Sequence, residues 1–211
     1  MMALVIAGRE FRNLFLSPLA WTMLAVLQFI LSFMFLAQLD YFLMLQPRLE
    51  GLDDAPGVTD AIVAPLFGNA GVILMLVTPL LTMRLISEER RNRTLSLLFS
   101  APISITEIIV GKYLGILAFL LVVIAMLTLM PLSLYLGGSL DTGKLVANVL
   151  ALILLVSAYA AVGLFMSTLS HHPTVAAISS FGAILLLWIL DWSSQSSEKV
   201  GGVFQYLSML R

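Results

Sequence analysis

Five long apolar runs constrain this sequence more than any other feature. They cover approximately residues 18–39, 64–86, 108–130, 145–169 and 174–192. A helix needs about 20 predominantly apolar residues to cross the hydrocarbon core of a bilayer, because each residue adds only about 1.5 Å. Apolar and polar residues do not alternate along these runs, so a transmembrane β-barrel is not indicated. The sequence therefore predicts an all-α, polytopic membrane protein.

Composition agrees with this class and narrows the chemistry. Hydrophobic residues make up 60% of the 211 residues and charged residues only 11%, with a mean hydropathy of +1.04. The absence of cysteine removes disulfides, thiolate catalysis and cysteine metal sites. A net charge of −1 gives no reason to expect a nucleic-acid partner. Since no catalytic constellation is present either, we expect a chain that is not itself an enzyme and holds no metal or cofactor.

The first 16 residues combine apolar and charged side chains ahead of the first run. The apolar residues that recur at spacings of three and four are Leu4, Val5, Gly8, Phe11, Leu14 and Phe15. This periodicity predicts an amphipathic helix in the membrane interface. The alternative is that these residues are only the frayed start of the first span.

The distribution of basic residues predicts the orientation of the spans. One set of connecting segments contains Arg9, Arg12, Arg84, Arg90, Arg91, Arg93 and Lys112. The opposite set contains Arg48, Lys144, Lys199 and Arg211, together with most of the acidic residues. Because lysine and arginine are enriched in cytoplasmic loops, the first set is predicted to be cytoplasmic. The N-terminus is then inside, and five spans leave Arg211 outside.

The densest run of charge, from Ser87 to Pro102, lies between the second and third apolar runs. Charged groups are costly in hydrocarbon, so this run lies outside the bilayer core. Ser87 is a predicted N-cap, Glu88 and Glu89 fall in the first turn, where the helix dipole favours acids, and Pro102 ends the segment. We predict a short helix along the membrane surface. The alternative is a solvated cytoplasmic loop whose arginines only set topology.

The start of the third span carries two further local signals. Ser104 and Glu107 fit a capping box, which predicts a new helix at this point. Gly111 and Gly115 form a Gly-x-x-x-Gly pair, which favours close approach of another helix. The residues predicted at the cytoplasmic mouth of the spans are Arg9, Arg12, Glu107 and Lys112.

Two other motifs are weaker. The segment from Gly138 to Lys144 copies most of a phosphate-binding P-loop, but Leu145 stands where the magnesium-binding Ser or Thr belongs. His171 and His172 are adjacent in a predicted turn, where neighbouring side chains rarely converge on one ion. Neither nucleotide binding nor metal binding is expected from these segments.

The charged run and the residues after it form a longer pattern. It reads Glu88-Glu89-Arg90-Arg91-Asn92-Arg93-Thr94-Leu95-Ser96-Leu97-Leu98-Phe99-Ser100-Ala101-Pro102, followed by Gly111-Lys112-Tyr113. This pattern resembles the permease subunits of ABC type-2 transporters, most closely the gliding-motility-associated permease branch. The resemblance implies one transmembrane permease domain over residues 1–211. Permeases of that family have six spans, so we expect the native chain to continue about 20 or more apolar residues past Arg211.

The resemblance also implies a function. The charged run would be a cytoplasmic coupling helix that docks into a separate ABC ATPase subunit, which binds the ATP and Mg²⁺. A second permease protomer would complete an ATP-driven exporter among the lipids of the bacterial cytoplasmic (inner) membrane, with a lipid-linked, glycan or peptide cargo. The residues expected to couple to the ATPase are Glu88, Glu89, Arg90, Arg91, Arg93, Thr94, Leu95 and Leu98. The alternatives are a non-transporting scaffold that anchors a partner complex and, more remotely, an ATP-independent secondary transporter.

Overall fold

The computed structural model describes residues 2–49, 57–92, 104–136 and 140–196, and all the secondary structure in these residues is helical. Five helices among them are long and apolar enough to cross a membrane by length and composition. The predicted class, a polytopic α-helical membrane protein, is therefore confirmed.

The helices follow the order of the predicted spans. They are α1 (Met2–Leu16), α2 (Pro18–Leu49), α3 (Ala64–Thr82), α4 (Ser87–Arg91), α5 (Ile105–Leu132), α6 (Thr142–Leu169) and α7 (Pro173–Ser196). A π-helical turn, Thr59–Val63, leads into α3, and a 3-10 turn, Ser133–Leu136, follows α5. The candidate spans are α2, α3, α5, α6 and α7.

The N-terminal residues form a helix of their own. α1 ends at Leu16, and α2 begins at Pro18, a residue suited to the first turn of a helix because it lacks an N–H. The Trp21 indole N–H donates a hydrogen bond to the Phe15 carbonyl at 2.8 Å, which satisfies one of the last carbonyls of α1. The predicted separate helix is confirmed, and the alternative of a frayed span start is wrong. Its place in the membrane interface stays a prediction.

Two glycines bring α1 close to α5. A Cβ at Gly111 would lie 2.7 Å from the Ile6 Cβ and 2.8 Å from the Ala3 carbonyl oxygen. A Cβ at Gly115 would lie 2.7 Å from the Glu10 Cβ. These distances are shorter than carbon atoms tolerate, so only glycine permits the contact. The close approach predicted from the Gly-x-x-x-Gly pair is confirmed, and the approaching helix is α1.

The helix of the first span is longer than its apolar run. The apolar run ends near Leu39, and the polar stretch of residues 46–60, which contains proline and glycine, predicts a loop. In the structure α2 continues through the exposed Asp40 to Leu49. The chain is helical again from Val58. The predicted boundary was wrong because helical hydrogen bonds are satisfied within the helix, so α2 need not end where its apolar run does. Residues 50–56 lie outside the described residues.

The later boundaries agree better with the sequence. α5 begins at Ile105, and the Ser104 hydroxyl accepts a hydrogen bond from the Glu107 backbone N–H at 3.2 Å, so the capping box is confirmed. α6 ends at Leu169 as predicted. α7 continues to Ser196, past the end of the fifth apolar run near Trp192.

The described residues fall into two compact units. Of these residues, the first unit takes 2–13, 74–92, 104–118 and 155–196, and the second takes 14–49, 57–73, 119–136 and 140–154. The core of the first unit is formed by Met75, Tyr159 and Ile184, which are buried together with partly buried neighbours such as Phe181 and Trp188. In the second unit the rings of Phe15 and Phe119 lie 5.4 Å apart.

The start of α6 is fixed within the second unit. The Asp141 carboxylate accepts hydrogen bonds from the backbone N–H groups of Gly143 and Lys144, at 2.9 and 3.2 Å, and so caps the helix. The Lys144 ammonium lies 2.6 Å from the Asp60 carboxylate. The Asp141 backbone N–H donates to the Thr59 hydroxyl at 3.0 Å. Asp141, Gly143 and Lys144 of the partial P-loop therefore have structural partners.

The glycine contact makes a specific prediction. Gly111→Ala is expected to weaken the packing of α1, because the added methyl group would overlap Ile6 and the Ala3 carbonyl. Overpacking of this kind costs about 1–3 kcal/mol, which exceeds the gain of about 1 kcal/mol that alanine brings to a helix. Hydrogen–deuterium exchange of the α1 amides measures the change, since α1 can open locally.

Gly182→Ala in α7 is the matched control. No atom of the described residues lies within 4 Å of a Cβ at Gly182, so this variant is expected to be neutral or slightly stabilising. Equal exchange of the α1 amides in the two alanine variants would contradict the contact.

Candidate coupling site

α4 starts differently from the prediction. Ile86 occupies the N-cap position, with φ −126° and ψ −39°, and provides no side-chain hydrogen bond. The Ser87 hydroxyl donates instead to the Met83 carbonyl in the preceding turn. Ser87 as the N-cap was therefore wrong. Glu88 and Glu89 do lie in the first turn of α4, where the helix dipole favours their charge.

A group from another helix binds the free amides at the start of α4. The Ser167 hydroxyl of α6 accepts hydrogen bonds from the backbone N–H groups of Ile86 and Ser87, each at 3.2 Å. The same hydroxyl donates to the Met83 carbonyl at 3.1 Å. α4 also contacts α7. The short charged helix is thus held against α6 and α7.

Lys112 joins three helices through its ammonium group. Its Nζ atom lies 3.0 Å from Glu10 Oε1 on α1 and 2.7 Å from Glu89 Oε1 on α4, whereas Lys112 itself belongs to α5. The Lys112 side chain is only 3% exposed, against 19% for Glu10 and 22% for Glu89. We call Glu10, Lys112 and Glu89 the ion triad.

The triad follows from the physics of buried charge. An ammonium group withdrawn from water requires anionic partners, because unpaired burial of a charge costs several kcal/mol. Glu10 reaches Lys112 because Gly115 allows the α1 backbone to approach α5 at that level. Charge-assisted hydrogen bonds of 2.7–3.0 Å are near the optimum for such pairs. The positions of α1, α4 and α5 are therefore linked by a contact that none of them satisfies alone.

The other predicted site residues lie in several places. Glu88 and Arg90 are half-buried and Arg91 is exposed on α4, whereas Arg9 and Arg12 are exposed on α1. Glu107 takes part in the cap of α5. Arg93, Thr94, Leu95 and Leu98 lie outside the described residues. Within the described residues the ion triad brings together Lys112 and Glu89 of the predicted set, and docking of the ATPase on the set stays a prediction.

Two site residues were missed from the sequence. Glu10 was assigned only to an amphipathic helix, and its partner is 102 positions away. Ser167 follows Gly163 by four residues, the small-x-x-x-small spacing that indicates close helix contact. A Cβ at Gly163 would overlap the Thr82 side chain, so this spacing marks a real approach of α6 to α3. A search of every span for the small-x-x-x-small spacing, which was applied only to Gly111 and Gly115, would have found Gly163 and Ser167.

No group of three or more metal-binding side chains occurs within the described ranges. His171 and His172 are exposed in the turn between α6 and α7. The contacts described in the site are ion pairs and hydrogen bonds between helices.

The comparison with protein families identifies the class. The family model described as ABC-2 family transporter protein matches residues 4–193, and the chain belongs to that family. No curated protein and no solved structure matches the chain. Membership makes the chain a membrane-spanning permease subunit of an ABC transporter, a class that works with an ABC ATPase and forms dimers. The family predicted from the charged run is confirmed, whereas the gliding-motility branch stays a prediction.

Substitution of Lys112, and of Lys144 as a control, measures how much the ion triad contributes to stability. Lys112→Met leaves two carboxylates close together without their cation, and the expected loss is about 3 kcal/mol of unfolding free energy. For a chain of this size that corresponds to a fall of about 6–12 °C in the midpoint of thermal unfolding.

Lys144→Met removes an equally short ion pair whose side chains are 51% and 46% exposed. Water and salt screen such exposed pairs, so the midpoint should fall much less than it does for Lys112→Met. If Lys144→Met lowered the midpoint as much as Lys112→Met, the buried triad would stabilise the chain no more than an exposed ion pair does.

Proposed function

We propose that this permease moves its cargo when an ATPase subunit docks on α4 and the segment after it, on the cytoplasmic side of a bacterial inner membrane. The single observation that supports this proposal is the ion triad. It connects the charged helix predicted to dock with α1 and with the spanning helix α5. A displacement of α4 would therefore act on α1 and α5 without a further connecting element.

The triad makes α4 suited to passing on an external displacement. α4 has only five residues, so its own helical hydrogen bonds contribute little stability and tertiary contacts must hold it. Those contacts run through Glu89 to Lys112 and through the backbone of Ile86 and Ser87 to Ser167. A push on α4 is therefore transmitted to neighbouring helices.

Energy from a separate subunit fits the charge distribution of the spans. Proton or ion relays use ionisable groups deep in the membrane. In the described residues Lys112 is the only charged residue that is fully buried, and it is paired with two carboxylates. We infer an exporter driven by ATP hydrolysis in its partner, with two permease protomers enclosing the path. A lipid-linked, glycan or peptide cargo suits the apolar surfaces of the helices.

The structure refines how docking should be tested. Glu89 already binds Lys112 within this subunit, so reversing its charge would disturb the triad as well as any docking contact. Glu88, Arg90 and Arg91 have no ion pair among the described residues and remain accessible in part. These three residues are the better probes of the docking surface.

Glu88→Lys is expected to weaken binding of the partner ABC ATPase subunit. Loss of a charge contact at a partly desolvated interface costs about 2–5 kcal/mol, which is at least a roughly thirtyfold rise in Kd. Affinity co-purification at graded ATPase concentrations measures the effect, and the amount of permease in the membrane fraction checks insertion.

Asp40→Lys makes the same change of charge at an exposed residue of α2 predicted to lie on the outer side. It should leave the Kd unchanged. Docking at α4 would be refuted if Glu88→Lys bound as tightly as Asp40→Lys.

A further inference from the structure

Two small residues of α6 contact the chain on either side of the break, which is the turn between α3 and α4. α3 ends at Thr82 and α4 begins at Ser87, with a turn between them. A Cβ at Gly163 would overlap Thr82 on one side of the break, whereas Ser167 binds the backbone on the other side. Gly163 and Ser167 are four residues apart and so lie on the same face of α6, one turn from each other.

The Ser167 hydroxyl has no hydrogen-bonding capacity left over. It accepts from two backbone N–H groups, of Ile86 and Ser87, and donates to the Met83 carbonyl. A serine hydroxyl offers one donor and two acceptor sites, so all three are used. Since Ser167 and Ser87 are both fully buried, water cannot replace these bonds.

The three bonds reach both sides of the break. Met83 follows the last residue of α3, whereas Ser87 is the first residue of α4. One hydroxyl therefore fixes the angle at which α4 leaves α3, and it does so from a third helix. A local cap would not achieve this, because it would move with α4 instead of tying α4 to α6.

We propose that Ser167 is a positioning residue that ties α4 to α6, so that displacement of α4 by the ATPase also moves α6. This inference rests on the proposed function, since docking on α4 supplies the displacement. Lys112 carries the same displacement to α1 and α5, and Ser167 adds a route that involves no charge. Loss of Ser167 should therefore leave docking intact and reduce its effect on the ATPase.

Ser180 provides a matched control. It is also fully buried in a spanning helix, but its hydroxyl donates to the Ala176 carbonyl of its own helix at 2.6 Å. Ser167→Ala and Ser180→Ala thus remove the same atom from similar surroundings. They differ in whether the lost bonds join two helices.

The first experiment measures whether Ser167 holds the start of α4 in place. It uses the full chain in lipid nanodiscs, without the ATPase. Hydrogen–deuterium exchange is followed in peptides that cover residues 84–92. Ser167→Ala should accelerate exchange roughly tenfold, because buried amides lose their acceptor. Ser180→Ala should stay within about twofold of the unsubstituted chain. Exchange that is equally slow in both variants would overturn the assignment of Ser167.

The second experiment tests transmission in the complex reconstituted with the partner ABC ATPase. Ser167→Ala should leave the Kd for the ATPase within about threefold, since the side chains of Glu88, Arg90 and Arg91 are unchanged. The change in ATP turnover that the permease causes should fall at least about fivefold, whereas Ser180→Ala should retain it. A parallel loss of binding and turnover would indicate a merely structural role and would overturn the proposal.

The two experiments separate the two proposals. If the unsubstituted permease fails to bind the ATPase, docking on α4 is wrong and transmission to α6 fails with it. The exchange measurement would still decide whether Ser167 fixes the start of α4. If binding is normal and Ser167→Ala retains full control of ATP turnover, docking survives and the role of Ser167 is refuted.

Discussion

Burial of the Lys112 ammonium group fixes how several helices of this permease meet. The group is nearly removed from solvent and is held by one carboxylate of α1 and one of α4. Because a buried charge requires partners, neither of these helices can move far from α5 unless another group takes over the contact. The five-residue helix α4 thereby gains a defined position, although it has too few internal hydrogen bonds to be stable alone.

Small residues also determine how these helices meet, because they allow the helix backbones to approach closely. Between helices in lipid the hydrophobic effect contributes little, so close packing and polar contacts decide which faces meet. Gly111 and Gly115 admit α1, and Gly163 with Ser167 admits the junction of α3 and α4. The same contacts that position the helices also connect α4 to α1, α5 and α6. This connection supports the proposal that the ATPase acts on this permease through α4.

Local patterns predicted much of this structure, and distant pairings escaped prediction. Apolar length located the five spans, and the Ser104 capping box located the start of α5, because both signals lie within a single helix. The end of α2 was missed because helical hydrogen bonds do not depend on hydropathy. The partners of Glu10 and of the Ser87 amide are about 80–100 residues away in sequence, and no spacing rule connects them.

The central claim is that α4 lies on the cytoplasmic side of the membrane, where the ATPase docks on it. Labelling of single cysteines from each side of the membrane tests this claim most directly, and a chain without native cysteine suits the experiment. Cysteine would replace the exposed Arg91 of α4 in one variant and the exposed Asp40 of α2 in another. A membrane-impermeant maleimide should label the cysteine at 91 only from the cytoplasmic face and the cysteine at 40 only from the outer face. Addition of the ATPase subunit should protect position 91 alone. Labelling of position 91 from the outer face would contradict the account, as would labelling from the cytoplasmic face that the bound ATPase leaves unchanged.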